Sequence, residues 1–403
     1  MPSCTHDPAD TRSRASYRSL LRNREFTGLY VSFTLTVAAG TLSGFALGTL
    51  VSRQTRSPFL TAVSMYGATF ATVLGALTLM SVADGKRPRR TLLALQGLSL
   101  AGVTAQAVPG LPLTARFALL LLLGFFQSLA TGTRMGLLTE AVPASAYVAA
   151  RSLMNVTSGA TAVLGFAAGA ALLRRTGPEQ VFALSAALTA LGLAVVAAGV
   201  RERSIRPARR PGLRQTLRAN RELFAHPGRR VLLVNLWVPG GLVVGCEALF
   251  LPYSPGHAGT LLAAGSAGML LGDLTMGRLL TAERRRRCVL ALRLLLALPC
   301  LLFALHPPLP VLTVAVFVSA TGFAATLPLQ EQLLALTPEG VRGQVQGVES
   351  AGRMTWQGIG AAAAGGLAQY AGPGTAITVL AALSATVTVS AALVARRRAP
   401  AAA

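Results

Sequence analysis

The chain has few charged residues, and acidic ones are especially rare. Only 13% of its 403 residues are charged, and 37 lysines and arginines stand against 14 acidic residues. A soluble domain of average composition carries about 25% charged residues. Because 52% of the residues are hydrophobic and come in long blocks, the composition excludes an ordinary soluble protein and indicates that lipid covers much of the surface.

Cysteine, histidine and catalytic motifs are also scarce. The four cysteines and four histidines are scattered along the chain, without the spacing of a metal site or a disulfide framework. The sequence has no Gly-x-Ser-x-Gly, no His-Glu-x-x-His and no phosphate-binding Gly-x-x-x-x-Gly-Lys-Ser/Thr. We therefore expect no enzyme activity, no metal, no cofactor and no direct use of ATP.

What the chain contains instead is a series of long apolar segments. A bilayer core of about 30 Å needs roughly 20 apolar residues in one helix, and twelve segments approach this length. They predict an all-α, polytopic membrane protein, and residues 1–19 hold no apolar core of a cleavable signal peptide. The predicted spans are Phe26–Leu50, Leu60–Val82, Leu92–Val108, Leu113–Leu138, Ser152–Leu173, Val181–Val200, Val231–Leu251, Ala258–Leu280, Cys288–Leu305, Val311–Leu334, Val345–Leu367 and Ala376–Ala395.

Basic residues alternate in density along the loops between these spans. Most of the basic residues lie on one side of the membrane, in the N-terminal tail, Lys86–Arg90, Arg201–Arg230 and Arg396–Arg398. The loops on the other side contain only four arginines. Lys and Arg are enriched in cytoplasmic loops, so both termini are predicted to be cytoplasmic, with the plasma membrane as the location. Anionic lipid head groups account for the basic segments without nucleic acid. Five arginines fall inside or at the ends of spans: Arg116, Arg134, Arg278, Arg293 and Arg353.

The two halves of the chain repeat. A shift of 195 residues places Thr176-Gly177-Pro178 on Ala371-Gly372-Pro373, and a shift of 197 places Arg89-Arg90 on Arg286-Arg287. We therefore expect two pseudo-symmetric six-helix bundles with a substrate site at their interface near the bilayer midplane. The predicted parts are a tail (1–25), a first bundle (26–200), an Arg-rich linker (201–230), a second bundle (231–395) and a C-terminal tail (396–403).

The loop between the second and third predicted spans reads Ser81-Val82-Ala83-Asp84-Gly85-Lys86-Arg87-Pro88-Arg89-Arg90. It resembles the cytoplasmic signature of the major facilitator superfamily, a Gly-x-x-x-Asp followed by basic residues, with Ser81 in place of the first glycine and Pro88 within the basic cluster. The resemblance covers the whole chain and is closest to actinobacterial-type efflux members. It implies a monomeric secondary transporter, working by alternating access, whose partners are the lipid bilayer, a small-molecule substrate and protons.

The same resemblance implies a latch between the two halves. Carboxylate–guanidinium pairs are strong and bidentate, and a latch built from them must break when the halves rock. The alternative is that these charges only fix the topology. The residues that match the latch positions are Asp84, Arg89 or Arg90, and Glu140, with Arg286, Arg287 and Glu331 as second-half counterparts.

Charged side chains inside spans are expensive and usually functional. Glu247 lies in the seventh predicted span, after Pro239, which weakens the helix. A carboxyl group in a low-dielectric environment can take up and release a proton. A purely structural glutamate is the alternative. Glu349 and Arg353 share a helix face at a four-residue spacing and can pair. Further candidates for proton coupling, gating or the cavity are Asp273, Asn155, Gln127, Asn235, Trp356 and Gln357.

Glycines at a four-residue spacing mark helix faces that can approach closely in lipid. They predict either static packing or a sliding gate. Exporters of the superfamily also carry a Gly-Pro-rich motif in span five, but here Ala170 follows Gly169 where the proline is expected. The glycines concerned are Gly40, Gly44, Gly48, Gly165, Gly169, Gly268 and Gly272.

Three functions are compatible with these patterns. The leading hypothesis is proton-driven export of a small, fairly apolar organic compound, because the spans carry few charges that would suit sugars or highly charged metabolites. Import by the same fold is the second, since the incomplete glycine motif leaves the direction open. A non-transporting membrane receptor or scaffold is the third.

Overall fold

The structure is a computed structural model that describes residues 17–79, 87–202, 223–338 and 341–398. Every regular element within these ranges is a helix, which confirms the predicted all-α fold. The loop residue Asp84, most of the predicted linker and both chain ends lie outside the described residues.

Six long helices, spans 1 to 6, form the first half, after a short helix at Tyr17–Arg22. Asn23 caps span 1, because its side-chain oxygen accepts the backbone N–H groups of Glu25 and Phe26 at 3.0 and 3.2 Å. Spans 3 and 6 begin at a proline, which suits the first turn of a helix. The six helices are Arg24–Thr55, Pro58–Leu79, Pro88–Gln106, Leu113–Ala141, Ala144–Arg175 and Pro178–Gly199.

Six further segments, spans 7 to 12, form the second half, and three of them are interrupted. Span 9 turns into a 3-10 helix near Pro299, and span 10 has a 3-10 turn that begins at Gly322. Both interruptions fall where the sequence weakens an α-helix, because proline lacks the N–H donor and glycine is a poor helix former. The segments are Pro227–Ala248 with Phe250–Tyr253, Ala258–Arg278, Ala282–Ala297 with Leu298–Leu305, Leu309–Thr321 with Gly322–Ala325 and Thr326–Ala335, Arg342–Ala371, and Pro373–Arg398.

Nine helical stretches in the described ranges are long and apolar enough to cross a membrane. They belong to spans 1, 2, 4, 5, 6, 7, 9, 10 and 12. Spans 3, 8 and 11 complete the set and carry more polar side chains, such as Asp273 in span 8 and Glu349 in span 11. The number and order of the helices agree with the twelve predicted spans, and most helices extend several residues past the predicted boundaries.

The two ends of the molecule differ in how the halves meet. We call the end that holds Arg24, Gly199 and Pro227 the linker end, because the predicted linker starts and finishes there, and the opposite end the far end. At the far end one buried apolar cluster joins both halves, with Leu50 from span 1 and Phe250 from span 7 among its members. At the linker end each of the buried clusters belongs to a single half.

The halves touch mainly through two helix pairs, span 2 against span 11 and span 5 against span 8. Gly365 of span 11 packs against the backbone of span 2, whereas Gly347, about five turns earlier on the same face, is exposed with open space beside it. Span 8 shows the same contrast between Gly259, which packs against span 5, and Gly277, which is exposed. As far as the described residues show, the passage between the halves is therefore closed at the far end and open at the linker end.

Candidate functional site

Glu247 lies where three spans meet and where the two halves touch. It is half-buried near the far end of span 7, and the hydroxyl of Tyr66 in span 2 donates a hydrogen bond to its Oε2 at 3.3 Å. Beside it, Ala62, Ala248 and Ala361 form a buried contact among spans 2, 7 and 11. Because these side chains are small, the three helices approach closely and enclose the carboxyl group. Glu247 thus sits at a junction that must separate if the far end opens.

A second polar cluster lies inside the second half. Glu349 is 3% exposed and accepts hydrogen bonds from Gln330 Nε2 at 3.0 Å and from Arg353 Nε at 3.2 Å. The backbone carbonyl of Glu349 also accepts from Trp237 Nε1 at 2.9 Å. Glu349 and Arg353 therefore pair, as their four-residue spacing predicts, and Glu349 connects spans 7, 10 and 11.

Arg293 of span 9 points into the same half. It is 1% exposed, its guanidinium lies beside Gly240 of span 7, and none of its three side-chain nitrogens has a hydrogen-bond partner in the described residues. Glu349 and Arg353 are the charged groups that act on it electrostatically. From the sequence, Arg293 stands out only as a basic residue inside a predicted apolar span. That observation does not indicate what the residue does.

Two buried arginines of span 4 differ in how they are satisfied. Arg116 is 1% exposed and donates to several backbone carbonyls, the nearest being that of Gln106 at 2.7 Å. Arg134 is 4% exposed, has one weak contact to Thr36 Oγ1 at 3.5 Å, and its Nε has no partner within the described ranges. Its guanidinium carbon also lies 5.5 Å from the ring centroid of Phe33. Arg134, like Arg293, is a buried charge to which the sequence pattern assigns no role.

The predicted latch residues of the first half lie at the linker end. Arg89 donates to a backbone carbonyl of span 6 at 2.7 Å, and Arg90 pairs with Glu202 at 3.8 Å. Glu140 is exposed near the end of span 4. Because Asp84 lies outside the described residues, the first-half latch stays a prediction.

The second half has a latch-like pair, but it uses a neighbouring arginine. Glu331 pairs with Arg285 at 2.8 Å, whereas Arg287 pairs with Glu283 at 3.1 Å and Arg286 is exposed. Residues 284–287 are all arginines, so the phase of the helix decides which of them faces span 10. That phase is visible in the structure and not in the sequence.

The remaining predicted residues are spread over both halves. Three of them are exposed, namely Asp273, Asn155 and Gln127, and three are half-buried, namely Asn235, Trp356 and Gln357. Among the predicted glycines, Gly40 and Gly44 have open space beside them, Gly48 packs against Met65 and Leu251, Gly165 and Gly169 pack against span 1, and Gly268 and Gly272 pack against span 10.

Two six-helix halves that close a passage at one end and leave it open at the other define a membrane transporter rather than an enzyme. The sequence profile of the Major Facilitator Superfamily matches residues 29–257 and 248–403. The chain therefore belongs to the major facilitator superfamily. No curated protein matches it.

Solved transporters share this fold at low sequence identity. A POT family transporter in complex with 5-aminolevulinic acid is 12% identical, with a TM-score of 0.74 over 95% of this chain and 98% of the other. The nucleoside transporter NupG is 13% identical, with a TM-score of 0.75 over 91% and 99%. The human organic anion transporter MFSD10 is 17% identical, with a TM-score of 0.64 over 91% and 99%. At these identities the likeness shows the fold alone.

Proposed function

We propose that the protein is a proton-coupled transporter that exports a small organic compound by alternating access. The observation that carries this proposal is the Tyr66–Glu247 hydrogen bond, which joins the two halves near the closed end of the passage. A carboxylate accepts such a bond as a charge-assisted one, and a protonated carboxyl accepts only a weaker neutral one. Proton occupancy of Glu247 therefore changes the stability of the closed far end.

The orientation belongs to the same proposal. Basic residues flank the linker end, among them Arg89, Arg90 and the run at 284–287, and such residues mark the cytoplasmic side. With the linker end and both termini in the cytoplasm of a plasma-membrane protein, the passage opens toward the cytoplasm in this conformation. That is the side from which an exporter takes up its substrate.

Import by the same fold is the second candidate. Ala170 stands where exporters of the superfamily carry a proline, and it packs against Gly259 of span 8. The motif that accompanies export is therefore incomplete at a contact between the two halves.

Transport in oriented membrane vesicles tests coupling and direction together. In inside-out vesicles acidified by the host ATPase, we expect at least one compound of a panel of aromatic amines, neutral aromatics and carboxylates to dissipate the pH gradient. Fluorescence of an acridine dye reports the gradient, and vesicles without the protein are the control. Accumulation of that compound in the same vesicles supports export, and accumulation only in right-side-out vesicles supports import. A panel without any response, or accumulation that persists after nigericin collapses the gradient, contradicts proton-coupled transport.

The proposed latch predicts a strong effect of Asp84→Asn. Loss of the charge removes the carboxylate that is expected to pair with Arg89 or Arg90, so transport should fall about tenfold or more, as for the loss of a charge-assisted contact. Membrane insertion should stay normal, as judged by the amount of protein in the membrane fraction. Asp10→Asn in the N-terminal tail removes the same charge elsewhere and should have no effect. Wild-type turnover in the Asp84 variant would mean that the loop charges only fix the topology.

A further inference from the structure

Among the residues that the structure describes, the buried side chains carry more positive than negative charge. Three arginines are fully buried, namely Arg116, Arg134 and Arg293, and Arg353 is half-buried beside Glu349. Glu349 is the one fully buried carboxylate of the described residues, and it pairs with Arg353. A buried charge without a partner is strongly destabilising, so this excess calls for an explanation.

Arg116 is an example of a buried guanidinium whose hydrogen-bond donors are paired within the protein. Its nitrogens donate to the carbonyls of Gln106, Val108 and Leu111 at 2.7 to 3.4 Å. Arg134 is nearly as buried, yet its one hydrogen bond within the described residues is the 3.5 Å contact to Thr36. Most of its hydrogen-bonding capacity is therefore unused within the described residues.

Arg134 also lies in the right place to meet a solute. Its guanidinium rests on Phe33 and Thr36 of span 1. Gly40, one helical turn further along the same span, is exposed at mid-length and has open space beside it. The unsatisfied guanidinium is thus one turn of helix away from a free surface in the first half.

Arg353 occupies a comparable position in the second half. Its Nε donates to Glu349, its terminal nitrogens make no hydrogen bond within the described residues, and its side chain is 35% exposed. Arg293 adds a second positive charge that acts on the same carboxylate. Because two arginines share one glutamate, the cluster keeps a net positive charge, and Arg353 is its accessible member.

We propose that the substrate is an organic anion, and that Arg134 of the first half and Arg353 of the second half bind its anionic group. This deepens the proposed transport function and rests on it. Guanidinium groups bind carboxylates, sulfonates and phosphonates through two parallel hydrogen bonds, and such a ligand supplies the missing negative charge. An apolar body attached to that group suits the otherwise weakly charged spans. An anion held by both halves also connects them at the open side of the passage.

Ligand binding to the purified protein tests this inference without any proton gradient. The two tryptophans, Trp237 and Trp356, lie in spans 7 and 11, and Trp237 donates to the Glu349 carbonyl, so intrinsic fluorescence and the unfolding temperature both report on this region. The probes are cyclohexanecarboxylate, cyclohexanesulfonate and phenylphosphonate, each beside its uncharged amide or ester. At least one anion should bind, and its uncharged counterpart should bind about tenfold more weakly or not at all.

Variants separate binding from folding. Arg134→Gln should weaken anion binding about tenfold, and Arg134→Lys should recover part of it. Without ligand, Arg134→Gln should not lower the unfolding temperature, because it removes a buried charge that has no partner, whereas Arg116→Gln should lower it. Arg151→Gln removes an exposed charge at the linker end and serves as the control for overall charge.

Three results would overturn the inference. The first is that no anion of the panel binds, or that amide and anion bind equally. The second is that Arg134→Gln destabilises the ligand-free protein as much as Arg116→Gln, which would make Arg134 structural. The third is that chloride protects as well as the organic anions, which would indicate an inorganic-anion site only. Anion binding that depends on Arg134 in a protein that moves no protons supports the anion site while the coupling proposal fails.

Discussion

Proton-driven transport is expected to disappear when Glu247 is replaced by glutamine. Glutamine has nearly the same shape and can still accept the hydrogen bond of Tyr66, so the closed far end should keep its geometry. It cannot take up or release a proton, and the step that links proton movement to opening is lost. In the acridine-dye assay, substrate-induced dissipation of the pH gradient should fall to the level of vesicles that lack the protein.

The matched control for this prediction is Tyr66→Phe. It removes the hydrogen bond between the halves and leaves the carboxyl group, so transport should slow but remain proton-coupled. The Glu247→Gln protein should still exchange labelled for unlabelled substrate, because this exchange needs no net proton movement. Full gradient-driven transport in Glu247→Gln would refute the coupling role, and loss of exchange as well would point to misfolding or a lost substrate site.

The second large effect is expected at the far-end contact between spans 2 and 11. A side chain at Gly365 would overlap the backbone of Phe59 and the methyl group of Ala62. Overpacking of a tight contact costs about 1–3 kcal/mol, which shifts an equilibrium by about 5- to 150-fold. Gly365→Leu should therefore disfavour the conformation described here, and transport should fall by a similar factor because the far end cannot close.

Closure of the far end can be read directly by cross-linking. Ser57 Oγ donates to Gln369 Oε1 across the two halves at 3.0 Å, so cysteines at both positions should form a disulfide only while the far end is closed. Gly365→Leu should reduce this cross-link. Gly366→Leu is the control, since the neighbouring glycine has open space beside it. Equal cross-linking and transport in both variants would mean that the contact is not a gate.

The architecture could be predicted from the sequence because it depends on averages over many residues. Long apolar blocks and the alternation of basic loops indicate twelve spans without any knowledge of packing. Glu247 stands out for the same reason, as an acid in an apolar block. Its partner Tyr66 lies 181 residues away. No local sequence pattern indicates which tyrosine of the other half contacts Glu247.

Other parts of the site depend on details that the sequence does not contain. Arg134 and Arg293 are visible as charges inside spans, but their lack of partners is a property of the folded chain. The start of the span 9 helix decides which arginine contacts Glu331. Thr281 precedes the first residue of this helix, and Arg285 therefore takes the place predicted for Arg286 or Arg287. A four-residue glycine spacing likewise defines a helix face without saying what lies against it.

The apolar cluster at the far end has a thermodynamic consequence. Opening that end brings side chains such as Leu50, Phe250 and Phe303 into contact with water, and wetting of apolar surface raises the heat capacity. The two conformations therefore differ in heat capacity, and cooling weakens the apolar association that holds the far end shut. Warming therefore favours the conformation described here, which is closed at the far end, and cooling favours opening of that end, so the ratio of the two conformations depends on temperature.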